Sequence, residues 1–302
     1  MSNDSPAAEF SPKRVLIVGL GLLGGAVAHR VRAAFPEATI TAVVRSETKY
    51  AAAIEAGLVD RVVARFDPVG DSDVPTDEWT AAVACDLAVI ATPVDRIFSE
   101  ALTVLSLSPD SLITDVGSTK AALVRQVEEA NDADVDLSRF VPAHPLAGSE
   151  RTGWPNADPE LLVGATCVLT PHSDAAPDAV ASVDAFWRSL GMRTLHADAG
   201  DHDRWLAQSS HLPHIAAAAL VRAIDAPEAM RATGYADTTR VAAGSPEIWR
   251  SIVASNPQPI RDALDRLRNE VDAIDALIAE GNWDAVESWL AAAAAERRSR
   301  GR

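Results

Sequence analysis

The stretch that decides the fold is VLIVGLGLLGGAVAHRVRAAF, residues 15–35. It opens with a run of apolar residues, turns at Gly19, Gly21 and Gly24, and continues with helical spacing until Pro36. A glycine-rich turn between a buried strand and a helix leaves bare backbone at the helix N-terminus, where a pyrophosphate group can bind. The sequence therefore predicts a strand, a tight turn and a helix that together bind a dinucleotide.

Further apolar runs of strand length follow this unit. They are separated by helical segments and read TITAVV (39–44), RVVARF (61–66), DLAVIATPV (86–94), SLITDVG (111–117), ATCVLT (165–170) and MRTLHAD (192–198). Strands that are apolar along their whole length are typical of a parallel sheet covered by helices on both faces. Because the connections between such strands are almost always right-handed, we expect a doubly wound α/β domain of the Rossmann type.

The character of the sequence changes toward the C-terminal end. From Asp201 onward the strand pattern is lost and helical spacing prevails. We therefore expect three parts: a disordered tail over residues 1–12, a dinucleotide-binding Rossmann domain over 13–196, and an all-α domain over 197–302.

One helix of the all-α region, between Pro259 and Gly281, carries an apolar seam. Its members alternate at spacings of four and three residues and are Ile260, Leu264, Leu267, Val271, Ile274 and Ile278. A seam of this kind fits the core of a bundle within one chain as well as an interface between two subunits.

Composition excludes several classes of protein. The 302 residues are 48% hydrophobic and 23% charged, which is normal for a soluble protein of two domains. The polar N-terminus has no signal-peptide pattern, and no apolar run approaches the roughly 20 residues that span a bilayer, so we expect a cytoplasmic protein without membrane contact. The net charge of −16 disfavours binding to nucleic acid. No grouping of Cys, His and carboxylates has metal-ligand spacing, so no metal is expected.

The end of the second predicted strand bears on the choice of cofactor. An NAD site usually presents Asp or Glu to the ribose 2′-hydroxyl there, but this chain has Arg45 and Ser46. An arginine and a hydroxyl suit a 2′-phosphate, which favours NADP over NAD. Glu47 would take the acidic role if the turn bulges, so NAD stays open.

Other cofactor contacts are expected where strands end, because ligands of open α/β sheets dock at the carboxyl ends of the strands. These positions, together with the first residues after the glycine turn, are Leu22, Leu23, Thr92, Pro93 and Asp115.

Two motifs carry candidates for chemistry. DVGSTK (115–120) follows the fifth predicted strand, and HPLAGSE (144–150) comes some 26 residues later. The first is also explained as an ordinary turn in which Ser118 caps a helix. In the second, a histidine before proline is held out of helical geometry, and the small residues that follow leave room for a ligand beside the ring.

Together with the glycine turn, these motifs resemble those of the prephenate/arogenate dehydrogenase family of tyrosine biosynthesis. ATPV (91–94), GDHDRWLAQSSHLPH (200–214) and DTTRVAAGSPEIW (237–249) complete the resemblance, in the family's order. It implies a Rossmann domain, a helical substrate and dimerisation domain, and a homodimer. The implied reaction is NAD(P)-dependent oxidative decarboxylation of prephenate to 4-hydroxyphenylpyruvate, or alternatively of arogenate to tyrosine.

The resemblance also implies roles for single residues. His144 matches the catalytic histidine, and Ser118 matches the hydroxyl that hydrogen-bonds to it. Arg240 matches the arginine that holds a substrate carboxylate, and Glu150 matches an acidic residue at the pocket mouth.

Three further residues of the helical region match the family's substrate site. His214 corresponds to the substrate-side histidine of SHLPH, although His211 fits the motif as well. Trp249 matches an aromatic residue that the neighbouring subunit supplies. His202 and Asp203 are interpreted only as the start and cap of a helix.

The chemistry of the residues agrees with these roles. Oxidation of a carbinol requires a base for the hydroxyl proton, and an imidazole with an ordinary pKa of about 6.5 accepts a proton near neutrality. A β-hydroxyacid dehydrogenase or imine reductase would use a catalytic lysine or aspartate instead. A non-catalytic dinucleotide sensor would have no use for His144 together with Arg240.

Overall fold

The structure, a computed structural model, describes residues 10–64, 77–131, 135–149 and 151–299. Residues 1–9 of the expected tail and the pocket-mouth candidate Glu150 lie outside the described residues.

A six-stranded parallel sheet forms the centre of the first domain. Its strands are β1 (Arg14–Val18), β2 (Thr39–Val44), β3 (Arg61–Ala64), β4 (Leu87–Ile90), β5 (Leu112–Asp115) and β6 (Phe140–Val141). In space they lie in the order β3-β2-β1-β4-β5-β6, and every neighbouring pair is parallel. The direction of winding reverses between β1 and β4, and this switch point opens a crevice at their carboxyl ends. The predicted doubly wound class is confirmed.

Helices cover both faces of this sheet. They are α1 (Leu22–Ala34), α2 (Ala51–Glu55), α3 (Asp77–Val83), α4 (Val94–Leu107), α5 (Ala121–Asn131) and α6 (Pro177–Ser189). Alternate residues of β1 enter two separate cores, Val15 and Ile17 on one face and Leu16 and Val18 on the other. A strand buried on both faces needs apolar residues at every position, which explains the uninterrupted runs in the sequence.

A second sheet of three strands corrects part of the expected topology. In it β7 (Ala143–Pro145) pairs antiparallel with β8 (Thr166–Leu169), and β8 pairs in parallel with β9 (Arg193–His196). ATCVLT therefore does not continue the main sheet. Only Pro142 separates β6 from β7, and this link is too short for the crossover that a parallel neighbour of β6 would need. The chain therefore starts a second sheet at β7, and ATCVLT pairs with that strand.

The described chain from residue 199 to 299 is helical, as expected. Its α-helices are α7 (Ala199–Leu206), α8 (Leu212–Ala223), α9 (Thr233–Thr239), α10 (Pro246–Ser255), α11 (Pro257–Ala279) and α12 (Trp283–Ser299). A π-helical turn, Ala207–His211, joins α7 to α8. Among the described helices, none has both the length and the apolar character needed to cross a membrane.

The apolar seam on α11 is buried at one end only. Ile260 is 2% exposed, whereas Val271 and Ile278 remain 54% and 51% exposed. The neighbouring α12 buries none of its described side chains. The seam is thus a core stripe where α11 begins, and its other end is left uncovered within one chain.

Candidate active site

A cleft of about 960 Å³ opens beside the carboxyl ends of β1 and β4, between the Rossmann domain and the helical domain. Most of the residues expected in the cofactor and substrate sites line it. They are Gly19, Gly21, Leu22, Leu23, Arg45, Thr92, Pro93, Ser118, His144, His211, His214, Arg240 and Trp249. Residues expected to bind two different ligands therefore share one cavity.

The glycine turn has the shape that a pyrophosphate needs. Gly19 has φ +97°, which favours glycine, and a Cβ on Gly24 would lie 2.1 Å from the carbonyl oxygen of Gly19. Gly21 precedes α1 with open space around it, and no side chain caps the helix there. The first amides of α1 are therefore accessible to an anion. Gly24 does not line the cleft but packs closely against Gly19 inside the turn.

Thr92, just after β4, provides a second sign of a ligand site. Its hydroxyl oxygen is buried and has no hydrogen-bond partner among the described residues. Because a buried hydroxyl without a partner is unfavourable, this oxygen fits a ligand that hydrogen-bonds to it. The residues at this end of the cleft thus fit a dinucleotide.

After β2, Arg45 faces the cleft and Glu47 does not. Arg45 lines the cleft, and its Nη2 lies 3.9 Å from Oε1 of Glu247 on α10. Oε1 of Glu47 instead accepts a hydrogen bond of 2.7 Å from the backbone N–H of Ala64, which holds this carboxylate against β3. Ser46 does not line the cleft.

Asp115 has a different place from the one expected. It is fully buried and does not line the cleft. Its Oδ2 is ion-paired with Lys120 and accepts from the N–H of Gly117 at 2.7 Å, while Oδ1 accepts from the N–H of Ala143 at 3.0 Å. Asp115 therefore ties β5 to β7, next to His144, and it does not contact the cofactor space.

His144 lies on β7 and is part of a buried chain of polar side chains. Its Nδ1 is 2.9 Å from Nε2 of His202, and Nδ1 of His202 is 2.8 Å from Oδ1 of Asp203. All three side chains are buried. Ser118 lines the cleft, but the bond from Ser118 to His144 that the resemblance implies is not formed among the described residues.

Burial lowers the pKa of His144 well below its ordinary value, and the electrostatic influence of His202, Lys120 and His211 lowers it further. Burial acts in this direction because it penalises the charged form of the ring. His144 is therefore neutral at physiological pH and can accept a proton.

Both histidines of SHLPH reach the cleft wall. Nδ1 of His211 is 3.3 Å from Nδ2 of Asn256, and Nε2 of His211 is buried without a partner among the described residues. Burial lowers the pKa of His211 to about 4. The ring of His214 stacks on Trp249, with centroids 3.5 Å apart and planes inclined by 12°.

Comparison with known proteins identifies the family. Residues 27–196 match the family model described as prephenate dehydrogenase, nucleotide-binding domain, and residues 198–292 match prephenate dehydrogenase, dimerization domain. The chain belongs to the prephenate dehydrogenase family. It is thus an oxidoreductase of that type.

Individual relatives within the family cover most of the chain. It is 29% identical to the cyclohexadienyl dehydrogenase of Zymomonas mobilis over 281 residues, 90% of each protein. It is 31% identical to the prephenate dehydrogenase of Bacillus subtilis over 269 residues, 86% of this chain and 68% of that one. A solved structure of prephenate dehydrogenase from Aquifex aeolicus, in complex with hydroxyphenyl propionate and NAD+, superposes with a TM-score of 0.84 at 26% identity, covering 97% of this chain and 99% of that one.

One expectation taken from the prephenate dehydrogenase family needs correction. Trp249 was expected to reach the neighbouring subunit's pocket, but it lines the cleft of its own chain. There its ring stacks on His214 of the same chain. Arg240 opens the short 3-10 turn Arg240–Ala243 just before α10 and also lines this cleft.

The sequence did not predict that His202 and Asp203 form a hydrogen-bonded chain with His144 at the site. They do not begin and cap α7, because Asp198 is its N-cap residue and accepts from the N–H groups of Gly200 and Asp201. The only available signal was a histidine next to an aspartate upstream of SHLPH. Nothing in the sequence shows that the fold carries His202 to His144, which lies 58 positions away.

Proposed function

We propose that this chain catalyses the NAD(P)-dependent oxidative decarboxylation of prephenate to 4-hydroxyphenylpyruvate. The observation that carries the proposal is the position of His144. This buried, neutral imidazole lies on the wall of the cleft that also contains the glycine turn and Arg240. A β-hydroxyacid dehydrogenase or an imine reductase would have no need for a histidine there.

The cofactor end of the cleft would be formed by the backbone of Gly19, Gly21 and Leu22, with Thr92 as a hydrogen-bonding side chain. A nicotinamide dinucleotide bound there supplies the acceptor for the hydride. Arg45 reaches this part of the cleft, whereas Glu47 is held by β3, and this supports NADP as the preferred form. The proposed reaction consumes NAD(P)+ from the pool inside the cell, which supports a cytoplasmic location.

At the substrate end, His144 takes the proton of the substrate hydroxyl as the carbinol carbon loses its hydride. The ring carboxylate then leaves as CO2, and its bonding electrons complete the aromatic ring. The oxygen, now a phenolate, regains a proton from the imidazolium. Arg240 holds a substrate carboxylate through its guanidinium group, which fixes the ring beside His144.

The uncovered end of α11 supports assembly as a homodimer. Val271 and Ile278 on α11 and Trp283 and Leu290 on α12 are large apolar side chains that remain exposed within one chain. Apolar faces of this kind are usually covered by a partner. Because Val271 and Ile278 are exposed in the single chain, changing both to Asp would disturb a dimer and leave the fold intact. We expect the wild type to sediment as a dimer and this double variant as a folded monomer.

The function is tested by initial rates with prephenate and arogenate, each in the presence of NAD+ and of NADP+. We expect reduction of the dinucleotide and release of CO2 in equal amounts, with prephenate the better substrate. A higher kcat/KM with arogenate would reassign the substrate to the amino form. Absence of turnover with both substrates, despite binding of the dinucleotide, would favour a sensor over an enzyme.

A further inference from the structure

We propose that His202 and Asp203 act as positioning residues that fix the tautomer of His144, with its proton on Nδ1 and its lone pair on Nε2. This inference rests on the proposed role of His144 as the base. The ring nitrogen that faces the cleft is then always the one that can accept the substrate proton.

Asp203 faces His202 with a carboxylate whose two oxygens both act as acceptors. Oδ1 accepts from the backbone N–H of Lys120 at 2.8 Å, and Oδ2 accepts from the N–H of Ala121 at 2.9 Å. Both donors belong to the N-terminus of α5, where the helix dipole favours a negative charge. Because both oxygens already accept from backbone donors, Asp203 presents an acceptor to His202. His202 must therefore donate to it from Nδ1.

The tautomer of His202 determines that of His144. A neutral His202 with its proton on Nδ1 has only a lone pair on Nε2. That atom lies 2.9 Å from Nδ1 of His144, so Nδ1 of His144 must be the donor. The remaining ring nitrogen of His144, Nε2, is then unprotonated. A hydrogen bond from one ring nitrogen sets the state of the other in this way in many catalytic and metal-binding histidines.

Burial and the neighbouring groups favour the neutral form of the His144 ring. The titratable groups that act on His144 are His202, Lys120, which is paired with Asp115, and His211, which is itself neutral near pH 7. A second proton on His202 would lie on Nε2 and point at Nδ1 of His144 in a fully buried place. It would also turn Nδ1 of His144 into an acceptor and place the His144 proton on Nε2, where it would block catalysis.

The direct test is nuclear magnetic resonance of the protein labelled with 15N-histidine. The chain has only seven histidines, so the ring signals can be assigned through His144→Asn and His202→Leu variants. At pH 7.5 without ligands we expect both His144 and His202 as neutral rings protonated on Nδ1. His144 protonated on Nε2, or His202 protonated on both nitrogens, would overturn the proposal.

Kinetics of two variants provide an independent test. His202→Leu removes the acceptor, and we expect kcat to fall about 10- to 100-fold while the KM for prephenate stays within about threefold, the usual size of such supporting contacts. His202→Gln offers an amide oxygen to Nδ1 of His144, and we expect it to recover most of kcat. Equal losses in both variants, or a change confined to KM, would contradict the positioning role.

A matched control separates this effect from a general loss of packing. His172 is also buried, with Nε2 3.1 Å from the carbonyl oxygen of Leu137, but it lies outside the cleft. We expect His172→Gln to leave kcat unchanged. The resonance measurement uses no substrate, so a failure of the proposed reaction and a failure of the tautomer assignment remain distinguishable.

Discussion

The cofactor end of the cleft consists of backbone and small side chains, whereas the substrate end consists of buried side chains that hold one another. At the first end the decisive property is space, since a Cβ on Gly24 would collide with the carbonyl oxygen of Gly19. At the second end the decisive property is hydrogen bonding between side chains, since His144 contacts His202 and His202 contacts Asp203. Substitutions at the substrate end should therefore affect proton transfer and orientation, and those at the cofactor end should affect which dinucleotide binds.

The largest effect is expected at His144. His144→Asn removes the base, so we expect kcat to fall by about 10² to 10⁴ while substrate affinity changes only a few-fold. Stopped-flow rates and equilibrium binding of prephenate would measure the two quantities separately. A variant that keeps more than half of the wild-type kcat would remove this histidine from the mechanism.

Arg240→Gln should affect binding rather than the chemical step. Loss of a charge-assisted contact to a carboxylate is expected to raise the KM for prephenate by about 30- to 1000-fold, on the order of 2 to 4 kcal/mol. Arg250 is a suitable control, since it is exposed, lies near Asp95 and does not line the cleft. An unchanged KM in Arg240→Gln, with the same result in Arg250→Gln, would assign Arg240 to a structural contact.

A smaller effect is expected at the cofactor end. If Arg45 meets a 2′-phosphate, kcat/KM with NADP+ equals or exceeds that with NAD+, and Arg45→Asp reverses the order by about tenfold or more through repulsion. Lys49→Asp is the control, because Lys49 is exposed and lies outside the cleft. A tenfold wild-type preference for NAD+ would show that another group meets the ribose.

The smallest effect concerns the stability of the substrate end at low pH. The folded-state pKa of His211 is about 4, below the ordinary value of about 6.5 in an unfolded chain. The unfolded chain therefore binds more protons between these values, and the free energy of unfolding decreases as the pH falls through this window. From pH 7 to 5.5 we expect a loss of about 1 kcal/mol from His211 alone. Urea unfolding at both pH values would show it, and His211→Gln should reduce the difference.

The same contrast between the two ends explains what the sequence could predict. The cofactor end is encoded locally, because the strand, the glycines and α1 are consecutive and their spacing has one structural meaning. The substrate end depends on contacts between distant segments. The pairing of His144 with His202 and the stacking of Trp249 on His214 follow from how β7, α7 and α10 pack, and no local pattern encodes that packing.

Two further differences have the same origin. ATCVLT has the composition of a central parallel strand, but the short link at Pro142 places its partner antiparallel. Asp115 stands where cofactor ligands are usual, but Lys120, five residues later, draws its carboxylate into the interior. In each case a contact with another part of the chain decides the position, and the local sequence pattern does not show that contact.

The bonds between Asp203 and the N-terminus of α5 also bear on how ligands enter and leave. Asp203 belongs to the helical domain and α5 to the Rossmann domain, so these bonds join the two domains beside the base. A hinge motion that separates the domains would leave the buried carboxylate of Asp203 without these donors, at a cost on the order of several kcal/mol. Exchange of product and spent dinucleotide is therefore expected at the outer rim, where Arg45 and Glu247 are exposed and separate easily, while the interior stays assembled between turnovers.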